Sequence, residues 1–181
     1  MALLKETKKK EEKNKKEKRV VRFSASGHEY AIPIDLIKEI IYTKPVHPVP
    51  GALQNVEGVI NLRGIVIPVI DIRKKLKSPS APLPSSEHIL IVEAGGQKLG
   101  LIVDRVNEVM AVREEQIQSV ETFVNQSAAY VAGIYRVDDR LIISLDLEQL
   151  WNATELAEIE TALNSPPSDG LEGSPQNKRM Q

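Results

Sequence analysis

Three histidines, His28, His47 and His88, are the residues whose type most readily does chemistry, and they fall in separate segments of the chain. None has a partner at metal-ligand spacing, and there is no cysteine to supply a thiolate, so no metal site is expected. The acidic residues Asp35, Asp71, Asp104 and Asp146 are the other candidates, as a carboxylate pair for acid–base work. They occupy matched positions of an internal repeat, which points instead to the capping of turns and helix starts. No serine sits in a nucleophile elbow, and no glycine-rich loop opens a phosphate-binding helix. Gly95-Gly96 reads as a hairpin turn. These residues predict no catalytic site and no cofactor. A binding module fits better, with exposed strand edges, a groove and scattered exposed apolar side chains.

The stretch that must position any such surface is Val56 to Ile72, VEGVINLRGIVIPVIDI, the most apolar run in the chain. β-branched residues dominate it and Arg63-Gly64 interrupts it. That pattern predicts a β-hairpin whose second strand is buried on both faces. Pro68 donates no ladder hydrogen bond, so its strand is expected at a sheet edge or bulged. Arg63 stands at the tip, where its guanidinium is solvated yet placed to reach a partner.

Charge is divided unevenly. Nine Lys/Arg and four Glu put +5 on residues 1–19, so with a total of −1 the rest carries −6. A basic arm on an acidic body is the reverse of a nucleic-acid-binding domain. The lysines of the arm are not followed by an apolar segment, and no run approaches the ~18–20 residues of a membrane span. The expectation is a cytoplasmic protein. Residues 1–18 read as a disordered basic arm and 165–181 as a disordered tail. Arg19–Ser24 and His28–Ile32 read as a strand pair. Pro33 suits the first turn of a helix near residues 34–40, with Leu36, Ile37, Ile40 and Ile41 inward and Lys38 and Glu39 outward. Tyr42–Pro50, with three prolines, reads as an edge strand or extended loop open to a partner. Residues 78–86 read as a linker. Glu87–Ala94 and Gln97–Val103 form a second pair, and Val106–Val112 continues as a helix or strand. Tyr130–Val137 and Arg140–Leu147 form a hairpin about Asp138-Asp139. Asn152 reads as the N-cap of a helix over 152–164.

The two halves repeat. Shifted by 69, Val20–Ile41 lies over Ile89–Met110 without a gap, with Asp35 over Asp104 and Glu39 over Glu108. Shifted by 75, residues 58–72 lie over 133–147, with Gly58 over Gly133 and Asp71 over Asp146. Two small barrels of about five strands, roughly residues 19–77 and 87–151, sharing one core, would satisfy this repeat and protect the edges.

The run from Val56 to Arg73, V-x-G-V-x-N-L-R-G-x-V-x-P-V-x-D-x-R, resembles the signature of the CheW-like family. Tyr30–Ile40, Gly100–Val106 and Tyr130–Ile134 resemble it too, so the likeness covers about residues 19–151. It implies a mainly β fold of two intertwined five-stranded SH3-like β-barrel subdomains, with short helices and a C-terminal helix. It implies a non-enzymatic cytoplasmic adaptor in membrane chemoreceptor arrays. Such an adaptor joins the tips of methyl-accepting chemoreceptors to the regulatory domain of the histidine kinase CheA, with contacts between like adaptors also open to it. Carried over by position, Ile37, Glu39, Ile40, Glu87, His88 and Val106 would face the receptor. Tyr42, Val46, Pro48 and Arg63 would face the kinase. The lysine-rich arm leaves a rival reading, an electrostatic anchor on anionic membrane or nucleic acid.

Overall fold

Two-residue turns between β-branched runs organise this chain, and in each repeat a first and a second hairpin result. The computed structural model describes residues 17–42, 44–53, 55–76, 88–120, 129–151 and 153–164. The expected arm up to residue 16, the linker, Asn152, Glu87 and the tail lie outside them. In the first repeat β1 (Glu17–Ala25) pairs with β2 (His28–Pro33). A single 3-10 turn, Ile34–Leu36, leads into β3 (Ile37–Tyr42). Then β4 (Val56–Leu62) pairs with β5 (Ile65–Asp71), and one helical turn, α1 (Ile72–Lys75), follows. The second repeat gives β6 (His88–Ala94), β7 (Gln97–Val103), β8 (Arg105–Arg113), a short β9 (Ile117–Gln118), β10 (Val131–Val137), β11 (Arg140–Leu145) and α2 (Leu147–Leu150). The C-terminal helix is α3 (Ala153–Asn164).

The repeats do not each form their own sheet. One sheet has the order β8-β1-β2-β11-β10-β9 and the other β3-β6-β7-β5-β4. The first hairpin of each repeat is thus inserted between strands of the other repeat. Its second strand pairs in parallel, β2 with β11 and β7 with β5. The reciprocal insertion explains the continuous apolar runs. Leu90, Val92, Leu99 and Leu101 point into a cluster shared by both sheets, with Phe23, Ile32, Ile70 and Trp151. Ile89, Ile91 and Ile102 point the other way, into a cluster with Ile60, Ile67 and Val69 inside the curl of their own sheet. A smaller cluster about Val20, Tyr135 and Ile142 fills the other sheet. Each fully buried side chain of this size contributes roughly 1.5–3 kcal/mol, so central strands buried on both faces carry much of the stability.

Several expectations are corrected here. The two SH3-like barrels are not formed: the sheets have six and five strands and neither closes, because β3 and β4 remain opposite ends of one, and β8 and β9 of the other. The segment that would close the first runs through Pro45, Pro48 and Pro50, which lack the N–H groups a ladder needs. It contributes one bridge, with His47 donating to Val59 O (2.8 Å) and accepting from Val59 N–H (2.9 Å). The helix expected near residues 34–40 is the 3-10 turn followed by β3. The apolar spacing suits either form, and pairing with β6 (Ile40 opposite Leu90, Ile41 opposite Ile89) decides for the strand. Lys38 and Glu39 therefore do not share an outward side. Lys38, Ile40 and Tyr42 are exposed, while Ile37, Glu39 and Ile41 are half-buried. Pro68 lies on an inner strand, not at an edge. It is tolerated because its antiparallel neighbour Val59 spends both backbone groups on His47, and the parallel register with β7 begins one residue later, at Val69.

That bridge also explains the glycine at position 58. Gly58 has φ +147°, and a Cβ there would stand 2.2 Å from the His47 carbonyl oxygen. Its repeat counterpart Gly133 faces the Gln118 carbonyl at 3.1 Å. Gly58→Ala should therefore cost about 2 kcal/mol or more in urea unfolding, and Gly133→Ala less; equal costs would show that the close approach is not what selects Gly58.

A second prediction concerns alkaline pH. Tyr30 is 6% exposed and stacked on Phe23 at 5.9 Å. Burial first, and the neighbouring Tyr130 second, raise its phenol above the ordinary value of 10.0. The unfolded chain then loses this proton at lower pH than the folded one. The associated stability is present in full below pH ~10 and is lost as pH rises through the raised folded value. Unfolding titrations from pH 9 to 11 should show a steeper loss for the wild type than for Tyr30→Phe.

Candidate functional site

Ion pairs in this fold range from a fully buried group at the junction of the sheets, through partly buried pairs such as Arg22 with Glu29 and Lys75 with Glu155, to exposed ones. Asp71 ends β5 and caps α1, accepting from Arg73 N–H at 3.0 Å. It also takes a two-pronged bond from the Arg73 guanidinium, Nε to Oδ1 and Nη2 to Oδ2, both at 2.8 Å. Arg73 is 1% exposed and Asp71 3%. A third charge, Asp104, accepts from Arg73 Nη1 at 3.3 Å. The matching Asp146 caps α2 through the N–H groups of Glu148 (2.9 Å) and Gln149 (3.2 Å). Of the four repeated aspartates, Asp71 and Asp146 thus cap helix starts and Asp104 accepts from the Ser26 N–H of the β1–β2 turn, as expected of them, whereas Asp35 is exposed and caps nothing.

The candidate binding residues lie mainly on β3, the β4–β5 tip and the start of β6. Arg63 occupies the tip with φ +53°, followed by Gly64 at +85°, both in the left-handed region that a type I′ turn requires. Only glycine takes this conformation without strain. The Arg63 guanidinium reaches Glu39 on β3 at 2.8 Å, linking the two unpaired ends of the sheet. Its side chain is 77% exposed, so the bond is screened and adds little to stability. Tyr42, 80% exposed, lies opposite His88 in register, with ring centroids 5.1 Å apart. Residues assigned by position to different partners are therefore in contact: Glu39 with Arg63, and His88 with Tyr42. Ile37 begins β3 and Val106 is the second residue of β8, and both pack against the cluster shared by the two sheets. Val46 packs beneath β4 on the cluster about Ile60, and Pro48 is exposed beside the His47 bridge.

Four exposed apolar residues escape a reading of the sequence as core. Ile65 and Val66 are 50% and 52% exposed at the hairpin tip, although their run predicts a strand buried on both faces. Val109 and Leu141 are 46% and 61% exposed on the other sheet. The repeat register carried a signal for them, since Val109 lies over Ile40 and Leu141 over Val66. The molecule thus shows related apolar positions on its two sheets, but the charges differ: Arg63 is matched by Asp138, and Glu108 is paired by Arg22 instead. Lys38 on β3 meets Glu93 at 2.8 Å, and that hydrogen bond and charge hold the Glu93 carboxyl below its ordinary range.

Residues 19–155 match the CheW-like domain. The chain belongs to that family. It is 33% identical over 151 residues to the chemotaxis protein CheW of Treponema pallidum, covering 81% of this chain and 89% of that one. To CheW of Bacillus subtilis it is 34% identical over 129 residues, covering 71% and 83%. A crystal structure of the scaffolding protein TtCheW from Thermoanaerobacter tengcongensis superposes with a TM-score of 0.70 at 35% identity, over 76% of this chain and 94% of that one. This CheW-like chain is a non-enzymatic scaffold of the kind that couples chemoreceptors to CheA. Among the described residues no group of three metal-ligating side chains is assembled, and no helix is long and apolar enough to cross a membrane.

The buried and exposed ion pairs should respond very differently to mutation. Asp71→Ala leaves the Arg73 guanidinium buried without its main counter-charge and should cost about 3–5 kcal/mol in denaturant unfolding. Glu39→Ala, at an exposed pair, should cost under about 1 kcal/mol. Comparable losses at the two sites would refute this division.

Proposed function

We propose that this chain joins chemoreceptor tips to the CheA regulatory domain through two adjoining faces whose border runs along β3. The observation that carries this reading is the contact between the two sets of candidate residues. Glu39 is bonded to Arg63 at 2.8 Å, and His88 lies against Tyr42. On this reading the receptor is met by Ile37, Glu39, Ile40, His88 and Val106, with Glu87 beside them in sequence. The kinase is met by Tyr42, Val46, Pro48 and Arg63, and the exposed Ile65 and Val66 extend that apolar surface. Each contact is modest, and several engage at once in a receptor array at the cytoplasmic side of the membrane. The repeat-related Val109 and Leu141 give the other sheet a comparable apolar surface, which supports contacts with a second CheW-like domain in the same array.

Arg63 supplies the discriminating test. Its support is stiff, since Ile60 and Leu62 are buried beneath the turn. Its planar fork is not reproduced by lysine. Arg63→Ala should weaken association with the kinase regulatory domain by roughly thirtyfold, and Arg63→Lys should restore it poorly. Glu39→Lys should weaken binding of a receptor-tip fragment. The exposed Arg63 substitutions should hardly move the thermal midpoint, staying within about ±0.5 kcal/mol, and Glu39→Lys, at a half-buried position of a screened pair, should cost under about 1 kcal/mol. Calorimetric titration with unfolding in parallel measures both. Native kinase affinity in a folded Arg63→Ala protein would remove Arg63 from that face.

A further inference from the structure

Among the described residues the chain passes between the sheets twice with short connections, once through Ile34–Leu36 and once through Asp104, and a side-chain hydrogen-bond network is seen at the second. Asp104 is the single residue between β7 and β8. Its N–H donates to Ser24 O at 3.0 Å. Its carboxylate accepts from Ser26 N–H at 2.7 Å, in the β1–β2 turn of one sheet. The other carboxylate oxygen accepts from Arg73 at 3.3 Å, at the base of β5 in the other sheet. Arg73 is itself fixed by its two-pronged bond to Asp71. The repeat supplies an internal control. Asp35, over which Asp104 lies in the repeat, is exposed and caps nothing, and the counterpart of Arg73 is Glu148, also exposed. A passage between sheets is therefore made without this network, so the network is not a requirement of the crossing.

The two passages differ in what must be held after them. β8 is an edge strand, paired only with β1, and that ladder slips between Arg22 and Phe23, where Phe23 faces Val106 and Arg22 faces Glu108. The ladder resumes beyond this bulge at Phe23–Val106 and Ser24–Arg105, so the start of β8 is offset from the rest of the strand, at the point where the Asp104 contacts hold it. We propose that Arg73 and Asp104 are positioning residues for the receptor-facing start of β8, setting where Val106 stands against the shared cluster. The proposal rests on the receptor face assigned above and adds to it two residues that face neither partner.

Asparagine at position 104 has one acceptor oxygen and can keep the Ser26 bond or the Arg73 bond, but not both. Asp104→Ser offers a hydroxyl to Ser26 and is too short to reach Arg73. Both variants, with Asp35→Asn as control, are titrated against a chemoreceptor-tip fragment and against the kinase regulatory domain, with thermal unfolding alongside. Expected is a loss of receptor affinity of about tenfold in Asp104→Asn and Asp104→Ser. Kinase affinity should stay within about twofold and Asp35→Asn should be unchanged throughout. Two variants are used so that failure of one to fold leaves the other to decide. Native receptor affinity in either folded variant, or loss of both affinities in proportion to the unfolded fraction, overturns the inference alone. A wild-type protein that binds neither fragment overturns the coupling function and this inference with it.

Discussion

The constraint on which the whole molecule depends is that the first hairpin of each repeat finds its outer neighbours only in the other repeat. β1 and β2 need β8 and β11, and β6 and β7 need β3 and β5. A two-stranded hairpin is at best marginal by itself in water. Here each hairpin becomes the middle of a sheet, and its two faces feed two different apolar clusters. Neither half can complete a core alone, because the cluster about Phe23, Leu90, Leu101 and Trp151 draws from both. The connections that cross between sheets are consequently short and sit at the junction, where Asp71, Arg73 and Asp104 are also found.

The same exchange determines what remains exposed. Once the inner positions are filled by the inserted hairpins, β3 and β8 are left as edges, and the β4–β5 tip projects beyond the sheet. Edge strands and turn tips are where backbone groups and side chains are available to a partner. The candidate residues gather there for that reason. An approximate twofold relation gives both sheets exposed apolar residues at matched positions, and the differences in charge separate the two surfaces. Arg63 against Asp138 is the clearest of these.

Burial sorts the charged residues into separate roles. Arg73 and Asp71 lie where water is excluded, so their fork geometry and mutual neutralisation hold the junction together. Arg63 lies in solvent with Glu39 half-buried beside it, where the pair is screened and readily exchanged for contacts with another protein. A screened ion pair of this kind leaves either member open to recruitment by another protein at small cost to the fold.

Much of the local structure was legible in the residues alone. Alternation of β-branched residues and the turns Ser26-Gly27, Arg63-Gly64, Gly95-Gly96 and Asp138-Asp139 located the hairpins, because those signals act over a few neighbouring residues. The repeat register paired the capping Asp71 with Asp146 and matched Gly58 with Gly133, but it could not separate the bonded Asp104 from the exposed Asp35. The family was legible from the run between Val56 and Arg73. Sheet membership was not, since exchange between repeats leaves the order of strands in the chain unchanged. The β3 segment reads as a helix from sequence because Leu36, Ile37, Ile40 and Ile41 fit both periods, and only pairing with β6 separates them. Ile65 and Val66 read as core because composition cannot say how far a hairpin tip projects. Which charges meet, Glu39 with Arg63 and Arg73 with Asp104, depends on contacts between residues 24 and 31 positions apart. Those distances are set by the curl of a sheet and the docking of two sheets, and no local preference of the chain encodes them.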